Sequence, residues 1–454
     1  MKEIEEYVRS LGLDAYVVGG VVRDEELGRE SKDADFLVLG VDADRLRAAL
    51  EPYGKVEELL VARRPVGMRL YPRDRAIREL APAGIEFAPP RREVSTGPGR
   101  HDFEIVVDPG AGVEVDLGRR DFTINAMARR LADGEVIDPY GGREDLERRI
   151  LRTVTRRSFA EDPLRLVRGL RFVSQLGLAP DEATLAQMHD EAAGVALVSG
   201  ERVGGGLAAD GMGELSKLLL GHAPRAALEL ARNTGVLVAL LPEFEPSVGY
   251  DPGSSDHNMN VDEHTFAVVQ AAADAGTPLR VRLATLFHDL GKPGCKPGRD
   301  HAERGSRIAG AVLRRLRYPN ALRQSVVRIV RHHTVALGDA DEAEARRMLA
   351  RYGDGLTFEL LDHWHADLAG REQSPPVAAK LTRLAGFRSL VEQELESPHR
   401  LADLAVDGAD LIELGYEPGP ALGRTLRELL DEVVERPALN ERETLLARAE
   451  ELRR

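Results

Sequence analysis

The spacing of apolar positions divides the chain in two. Up to about residue 150, short apolar runs alternate with polar breaks; from about 160 onward, apolar residues recur at helical spacing almost without interruption. Ile4, Val8 and Leu11 share one face of a helix predicted over 1–13. Ala15, Tyr16, Val17 and Val18 read as a strand ending at Gly19-Gly20, followed by a helical turn over 21–27. Residues 33–39 predict a second strand, and 42–52 a helix with Leu46, Ala49 and Leu50 on one side. Further strands are expected near 55–62, 66–71, 84–88 and 102–107. Residues 89–100, rich in Pro, Gly and Arg, predict a mobile loop before the last of these.

In the helical part, Gly and Pro clusters mark joints at 242–257, 291–300 and 370–378. The glycine-rich stretch 200–213 reads as a flexible link or a distorted helix. No repeat of 20–50 residues is evident. The 454 residues suggest roughly three or four domains.

Composition narrows the function only a little. Hydrophobic residues are 43% and charged residues 30%, as in an ordinary globular chain. No apolar run of about 18 residues is present, and the acidic, amphipathic start lacks a signal-peptide core. Cys295 is the one cysteine, so neither an intramolecular disulfide nor a Cys-only metal site is available. The expectation is a cytoplasmic protein with no membrane partner. The net charge of −14 argues against a general nucleic-acid coat, but not against a local basic track. Seven of the 62 basic residues are lysines and 55 are arginines, the side chain that forks onto phosphates and base edges. Biased codon usage explains most of them, so position must decide.

The first constellation lies near the start. Asp33 and Asp35 are two apart at the head of a strand, where alternation turns both carboxylates to one side. Two such oxygen donors suit Mg²⁺ with substrate phosphates completing its shell, the arrangement of two-metal phosphoryl transfer. Gly19-Gly20 before a helix start offers backbone N–H groups to a phosphate tail, and Arg23 reaches the same phosphates. A lone D-x-D is ordinarily a polar strand end; joined to the upstream GG-x-x-RD it is far more specific.

The stretch VVGGVVRDEELGRESKDADFLV resembles the nucleotidyltransferase signature of the DNA polymerase β superfamily, in the class II branch of tRNA nucleotidyltransferases (CCA-adding) and bacterial poly(A) polymerases. Three further blocks carry the resemblance in order: RRDFTINA at 119–126, DPYGG at 138–142 and EDPLRLVR at 161–168. The resemblance implies an α+β chain: a polymerase-β-like head with a mixed sheet plus helices over 1–150, a helical neck and body with a nucleotide-selecting helix over 151–245, an HD-type helical domain over 246–375, and a helical, tRNA-binding tail over 376–454. It implies nucleotide contacts at Arg120, Asp121, Asn125 and Glu161. A third carboxylate on a neighbouring strand is commonly needed to serve the metal pair, and Glu86 is the candidate. The segment 91–101, with Arg91, Arg92 and Arg100 around Gly97 and Gly99, stands where the family carries a flexible loop that helps change specificity from C to A; an ordinary hairpin extension is the alternative.

Asp162 and Arg165 are three apart and on a helix would share a face. Asp accepts from an exocyclic amine and Arg donates to ring nitrogen or carbonyl oxygen, so together they complement a base edge; the acceptor favours CTP and ATP over UTP and GTP. Arg168 and Arg171 continue the spacing toward phosphate or primer. Without the upstream blocks, a solvated, salt-bridged helix face explains them as well.

A second constellation follows. His264, the adjacent pair His288-Asp289 in LFHDLGK, and Asp367 resemble, in order, the H…HD…D pattern of HD phosphohydrolases. Such residues close round a metal and leave positions open for water and phosphate. His301 and His333 are the best additional ligands; His257, His332, His363 and His365 read as surface or core. The resemblance implies a transition metal there (Ni, Mn, Fe or Co), in a catalytic or a purely structural role. Residues 406–423 resemble the family's GDDLI-x-LG…GP-x-x-G tail segment, with Ala409 replacing its first carboxylate.

The expected activity is template-independent addition of C, C and A to the tRNA 3′ end from CTP and ATP, with Mg²⁺. The alternatives are a CC-only or A-only enzyme, a poly(A) polymerase, or a metal phosphohydrolase acting on RNA ends or nucleotides.

Overall fold

The computed structural model describes all residues except 30–34, 62–63, 96–102, 206–211, 254–258, 296–300, 335–337, 339 and 454. The chain forms two compact units, Met1–Glu245 and Pro246–Arg454. The protein is α+β: the sheets belong to the first unit, and the described elements of the second are helical.

The first unit is built on a seven-stranded mixed sheet ordered β3-β4-β5-β2-β1-β8-β9. Its strands are β1 (Ala15–Val18), β2 (Asp35–Val38), β3 (Gly54–Val61), β4 (Arg64–Pro72), β5 (Ile85–Ala88), β8 (Ala128–Arg130) and β9 (Val136–Ile137). All four residues of β1 are buried, as expected of a central strand. It pairs antiparallel with β2 and β8, whereas β2 pairs parallel with β5. Tyr16, Val18 and Leu37 pack on Val113 and Leu117 of the Val113–Gly118 helix.

The loop expected over 89–100 is corrected in part. β6 (Arg91–Ser95) and β7 (Phe103–Val107) form a two-stranded antiparallel sheet, because alternate residues of both segments find ladder partners. Gly97, Gly99 and Arg100 lie outside the described residues. A second small sheet pairs β10 (Ile150–Leu151) with β11 (Ala179–Pro180) in parallel.

The Leu164–Leu176 helix buries Leu166, Val167, Leu170 and Val173 and ends at Gly177, whose φ of 67° is the left-handed cap that glycine favours. A Cβ at Gly169 would lie 3.0 Å from the Phe122 ring, so this glycine lets the helix approach that core phenylalanine. Within the glycine-rich stretch, Glu201–Gly205 is a π-helix; residues 206–211 are outside the description.

In the second unit, Asn260 caps the Val261–Asp274 helix through a capping box with Glu263. The Leu279–Phe287, His301–Arg315, Asn320–His332 and Asp354–Ala369 helices follow. Beyond Pro375–Glu394, a separate apolar cluster of Leu411, Leu429, Val433 and Leu445 holds the last helices together. Among the described residues no helix is long and apolar enough to cross a membrane.

Candidate functional site

The sheet order places β2 beside β5, and their parallel register sets Asp35 against Glu86. Both line a cleft of about 360 Å³ with Arg69, Arg91, Asp116, Arg119 and Arg120. Asp35 is exposed at the start of its strand; Asp33 lies outside the described residues. Arg69, opposite Glu86 on β4, donates to its carboxylate from Nε at 3.1 Å and also from Nη2. The carboxylates of Asp35 and Glu86 are hard oxygen donors suited to a divalent cation.

Asp116 is a further carboxylate lining the cleft. Buried on the Val113–Gly118 helix, it accepts from Arg119 at 2.6 Å and Arg120 at 2.9 Å. Burial works against its charge, but the two guanidinium groups outweigh it and hold its pKa below the usual range. Gly19 caps the Gly20–Glu26 helix with φ 74°, and a Cβ there would sit 2.3 Å from Nη1 of Arg120. The glycine thus leaves room for an arginine at a helix N-terminus, where the backbone already favours anions.

Behind the cleft lies a continuous polar network. Asp121, buried, accepts from the Phe122 backbone and Asn125 Nδ2, each at 2.9 Å, and from Arg168 at 2.8 Å. Desolvation opposes its charge, yet Arg168 and Asn125 hold its pKa well down. Arg23 donates to Asn125 Oδ1 at 2.7 Å and to Asp24. The Phe172 ring lies 5.2 Å from the Arg23 guanidinium and 4.5 Å from that of Arg171, two cation–π contacts on one core aromatic. Arg168 and Arg171 both reach Glu214, and burial pushes the Arg171 pKa down to about 10.

The predicted Asp162–Arg165 helix face is corrected. Asp162 precedes the Leu164–Leu176 helix and is extended, at φ −145° and ψ 100°, the backbone region that a following proline favours. Its carboxylate accepts from the Leu164 backbone at 3.1 Å and takes a forked contact from Arg202, at 3.1 and 2.7 Å. Arg165 turns the other way, to Ser158, Glu161 and the Arg119 carbonyl. Gly19, Gly20, Arg23, Arg120, Asp121, Asn125, Arg168 and Arg171 therefore share one region, while Asp162 and Arg165 have separate partners. Arg69, Asp116, Arg202 and Glu214 escaped the sequence reading. Only Asp116 carried a local signal, three and four residues before Arg119 and Arg120 in a helix.

The second unit gathers two triads of potential metal ligands: His264, His288 and Asp367, and Asp289, His301 and His333. Five of the six, all but His264, line a cavity of about 520 Å³ that also meets Lys292, Arg371, Lys380 and Arg383. His264 Nε2 lies 3.0 Å from Asp367 Oδ1, and His301 Nε2 is 3.3 Å from Asp289 Oδ1 and 3.2 Å from His333 Nε2. Nδ1 of His288 bonds the Thr285 carbonyl at 2.8 Å and Nδ1 of His333 the Val330 carbonyl at 2.7 Å. Those bonds turn both Nε2 lone pairs inward, toward carboxylate oxygens that are also acceptors, and the buried Nε2 of His288 makes no hydrogen bond. Acceptors facing acceptors fit a divalent ion between them, with the backbone carbonyls orienting the imidazoles. Lys292 and Arg371 pair with Asp289 and Asp367, each at 2.6 Å. Despite burial, the neighbouring histidines keep both carboxylates ionised far below the usual range. His363 is buried one turn before Asp367, and burial holds it neutral.

Three family descriptions match the chain: the poly A polymerase head domain over residues 15–152, the probable RNA and SrmB-binding site of polymerase A over 177–247, and the putative tRNA nucleotidyltransferase domain 2 over 306–449. The multifunctional CCA protein of Methylococcus capsulatus is 34% identical over 441 residues, covering 92% of this chain and 93% of that one. The protein of the same name from Ralstonia nicotianae is 36% identical over 363 residues, covering 76% and 78%. The fold is similar to that of the Bacillus stearothermophilus CCA-adding enzyme in complex with CTP, with a TM-score of 0.68 at 24% identity over 99% of this chain and 95% of that one. A Thermotoga maritima CCA-adding enzyme complexed with tRNA gives 0.62 at 19% identity, covering 98% and 93%. With a head cleft of paired carboxylates and arginines, and identity sustained along nearly the whole length of such relatives, the chain belongs to the class II CCA-adding tRNA nucleotidyltransferase family.

Proposed function

We propose that this enzyme adds C, C and A to the 3′ end of tRNA from CTP and ATP without a nucleic-acid template. The observation that carries the reading is the pairing of Asp35 with Glu86 in a cleft walled by Arg119 and Arg120. Asp33 and Asp35, with Glu86, would hold Mg²⁺, which supplies charge neutralisation at the attacking and leaving oxygens. The chain's own residues do the positioning. The Gly20–Glu26 helix N-terminus, Arg23 and Arg120 orient the triphosphate, so that the primer 3′-hydroxyl meets the α-phosphorus in line with departing pyrophosphate. Asp121, Asn125 and Arg168 fix the wall behind the sugar. Glu161, Asp162 and Arg165 read the base edge, Asp162 exchanging Arg202 for the exocyclic amine of C or A. The primer is gripped by shape and backbone, since many tRNAs must be served. We assign the head to residues 1–150, the neck and body to 151–245, an HD-type domain to 246–375 and a tRNA-holding tail to 376–454, and the reaction to the cytoplasm.

The test offers the protein three tRNA transcripts, ending before CCA, after C and after CC, with labelled CTP and ATP separately and together. Incorporation of C into the first two and A into the third supports full CCA addition. C alone or A alone marks a split-activity enzyme, indefinite A addition a poly(A) polymerase, and no incorporation overturns the reading.

The paired triads favour a second activity in Pro246–Arg454, metal-dependent phosphohydrolysis of the HD type with Ni, Mn, Fe or Co. Asp35→Ala should abolish CTP incorporation and spare phosphatase turnover, and His288→Ala should do the reverse. Loss of both activities in either variant would refute two separate sites.

A further inference from the structure

We propose that the His301–Arg315 and Asn320–His332 helices form a docking groove for an RNA backbone, a site that the nucleotidyl-transfer cleft does not need. Between residues 301 and 333 the sequence carries eight arginines and one acidic residue, Glu303, within a chain of net charge −14. The two helices turn Ala302, Ala309, Val312 and Leu313, and Val326, Ile329 and Val330, into the core. The arginines are left outside. Arg307, Arg314, Arg323, Arg328 and Arg331 rim a groove of about 480 Å³.

The floor is small and narrow. A Cβ at Gly310 would lie 3.3 Å from Val327 Cγ2, and Ser306 and Ala311 complete it. It offers no large aromatic or aliphatic anchor of the kind that dominates protein–protein hot spots. The seven helical rises from Arg307 to Arg314 span about 10 Å. That distance matches about three phosphates of a strand.

A solvated, ion-paired helix surface would look different. Many arginines elsewhere on the surface meet carboxylates, as in Arg47–Glu58, Arg225–Glu229 and Arg448–Glu432. In the groove, Glu303 serves Arg331 at 2.6 Å and Arg307 at 3.8 Å. Arg314, Arg323 and Arg328 have no carboxylate within ion-pair distance among the described residues; Arg323 bonds Asn320 and Arg328 the Tyr352 carbonyl. Clustered like charge opposes folding, and a polyanion that neutralises it regains that energy and releases counterions. The groove lies outside the 177–247 stretch that matches an RNA-binding family. Glu303 and Arg331 at one end stand two residues from His301 and His333, so a bound strand would run along the same helices that carry these two ligands of the triads.

The test uses the full chain with Arg314, Arg323 and Arg328 all changed to alanine, beside a matched surface control with Arg45→Ala, Arg75→Ala and Arg78→Ala. Binding of a labelled tRNA transcript and of a 12-nucleotide single-stranded RNA is titrated at several salt concentrations. The groove variant should bind both RNAs about tenfold more weakly near 0.1 M salt, and its log–log salt slope should fall by about 2, at ~0.7 per phosphate lost. The control should match the parent protein. Glu303→Gln should tighten binding by removing the groove's one negative group. Unchanged RNA affinity in the triple variant would overturn the proposal, as would displacement of the RNA by a polyglutamate peptide of equal charge. Because the readout is binding, a parent protein that adds no nucleotide yet loses RNA in the triple variant would sink the transfer reading and leave the groove standing.

Discussion

Asp35 and Glu86 face each other across the parallel register of β2 and β5, so carboxylates far apart in the chain open into one cleft. Asp35→Asn and Glu86→Gln should each lower kcat for CTP incorporation at least about a hundredfold, as loss of a direct cation ligand does. Arg69→Ala removes only the partner that orients Glu86 and should cost about tenfold. The Arg69–Glu86 pair is about a third exposed on both sides, so none of these variants should lose more than about 1 kcal/mol of stability. Equal kcat loss and unfolding in Glu86→Gln would reduce it to a structural residue.

Acid should destabilise the first unit. Asp116 and Asp121 bind protons more weakly folded than unfolded, because the surrounding arginines favour their charged forms. Their contribution is complete above the unfolded value near 3.9 and drains away as pH falls below it toward the lower folded values. A thermal-melting series from pH 6 to 3 should therefore steepen below about pH 4. Asp121→Asn combined with Arg168→Met should flatten that limb; an unchanged limb would mean the pair does not govern it.

Arg202 occupies the acceptor that a base would use. Removing it (Arg202→Ala) should lower KM for CTP and ATP while kcat changes little, since the base no longer competes with a guanidinium. Asp162→Asn presents an amide donor as well as an acceptor and should raise UTP misincorporation. If Arg202→Ala raises KM for both nucleotides, the forked contact positions the loop rather than masks it.

The two triads predict a metal-dependent melting temperature. A divalent transition metal at a hundred times its dissociation constant should stabilise the second unit by about 2.7 kcal/mol. His264→Ala or Asp289→Ala should abolish the shift, and Asp35→Ala should keep it. Calorimetry with and without chelator measures this apart from any turnover. A shift that survives both ligand variants would place the metal elsewhere.

The sequence by itself determined the elements and their chemistry. Short apolar runs marked β1, β2 and β5, helical spacing marked the Leu164–Leu176 helix, and linked motifs named Gly19, Arg23, Asp35, Asp121 and the H…HD…D order, because these signals are carried by residue types and spacings along the chain itself. What lay beyond that range was decided by tertiary structure. The register that brings Glu86 to Asp35, the approach of Arg69 and Asp116, and the joining of His301 and His333 with Asp289 all depend on pairings between distant segments. Even over three residues, local periodicity failed where Pro163 disfavours the helical backbone at Asp162, so that Asp162 and Arg165 do not follow one another on a single helix face and Arg202, from a distant π-helical turn, forks onto the Asp162 carboxylate.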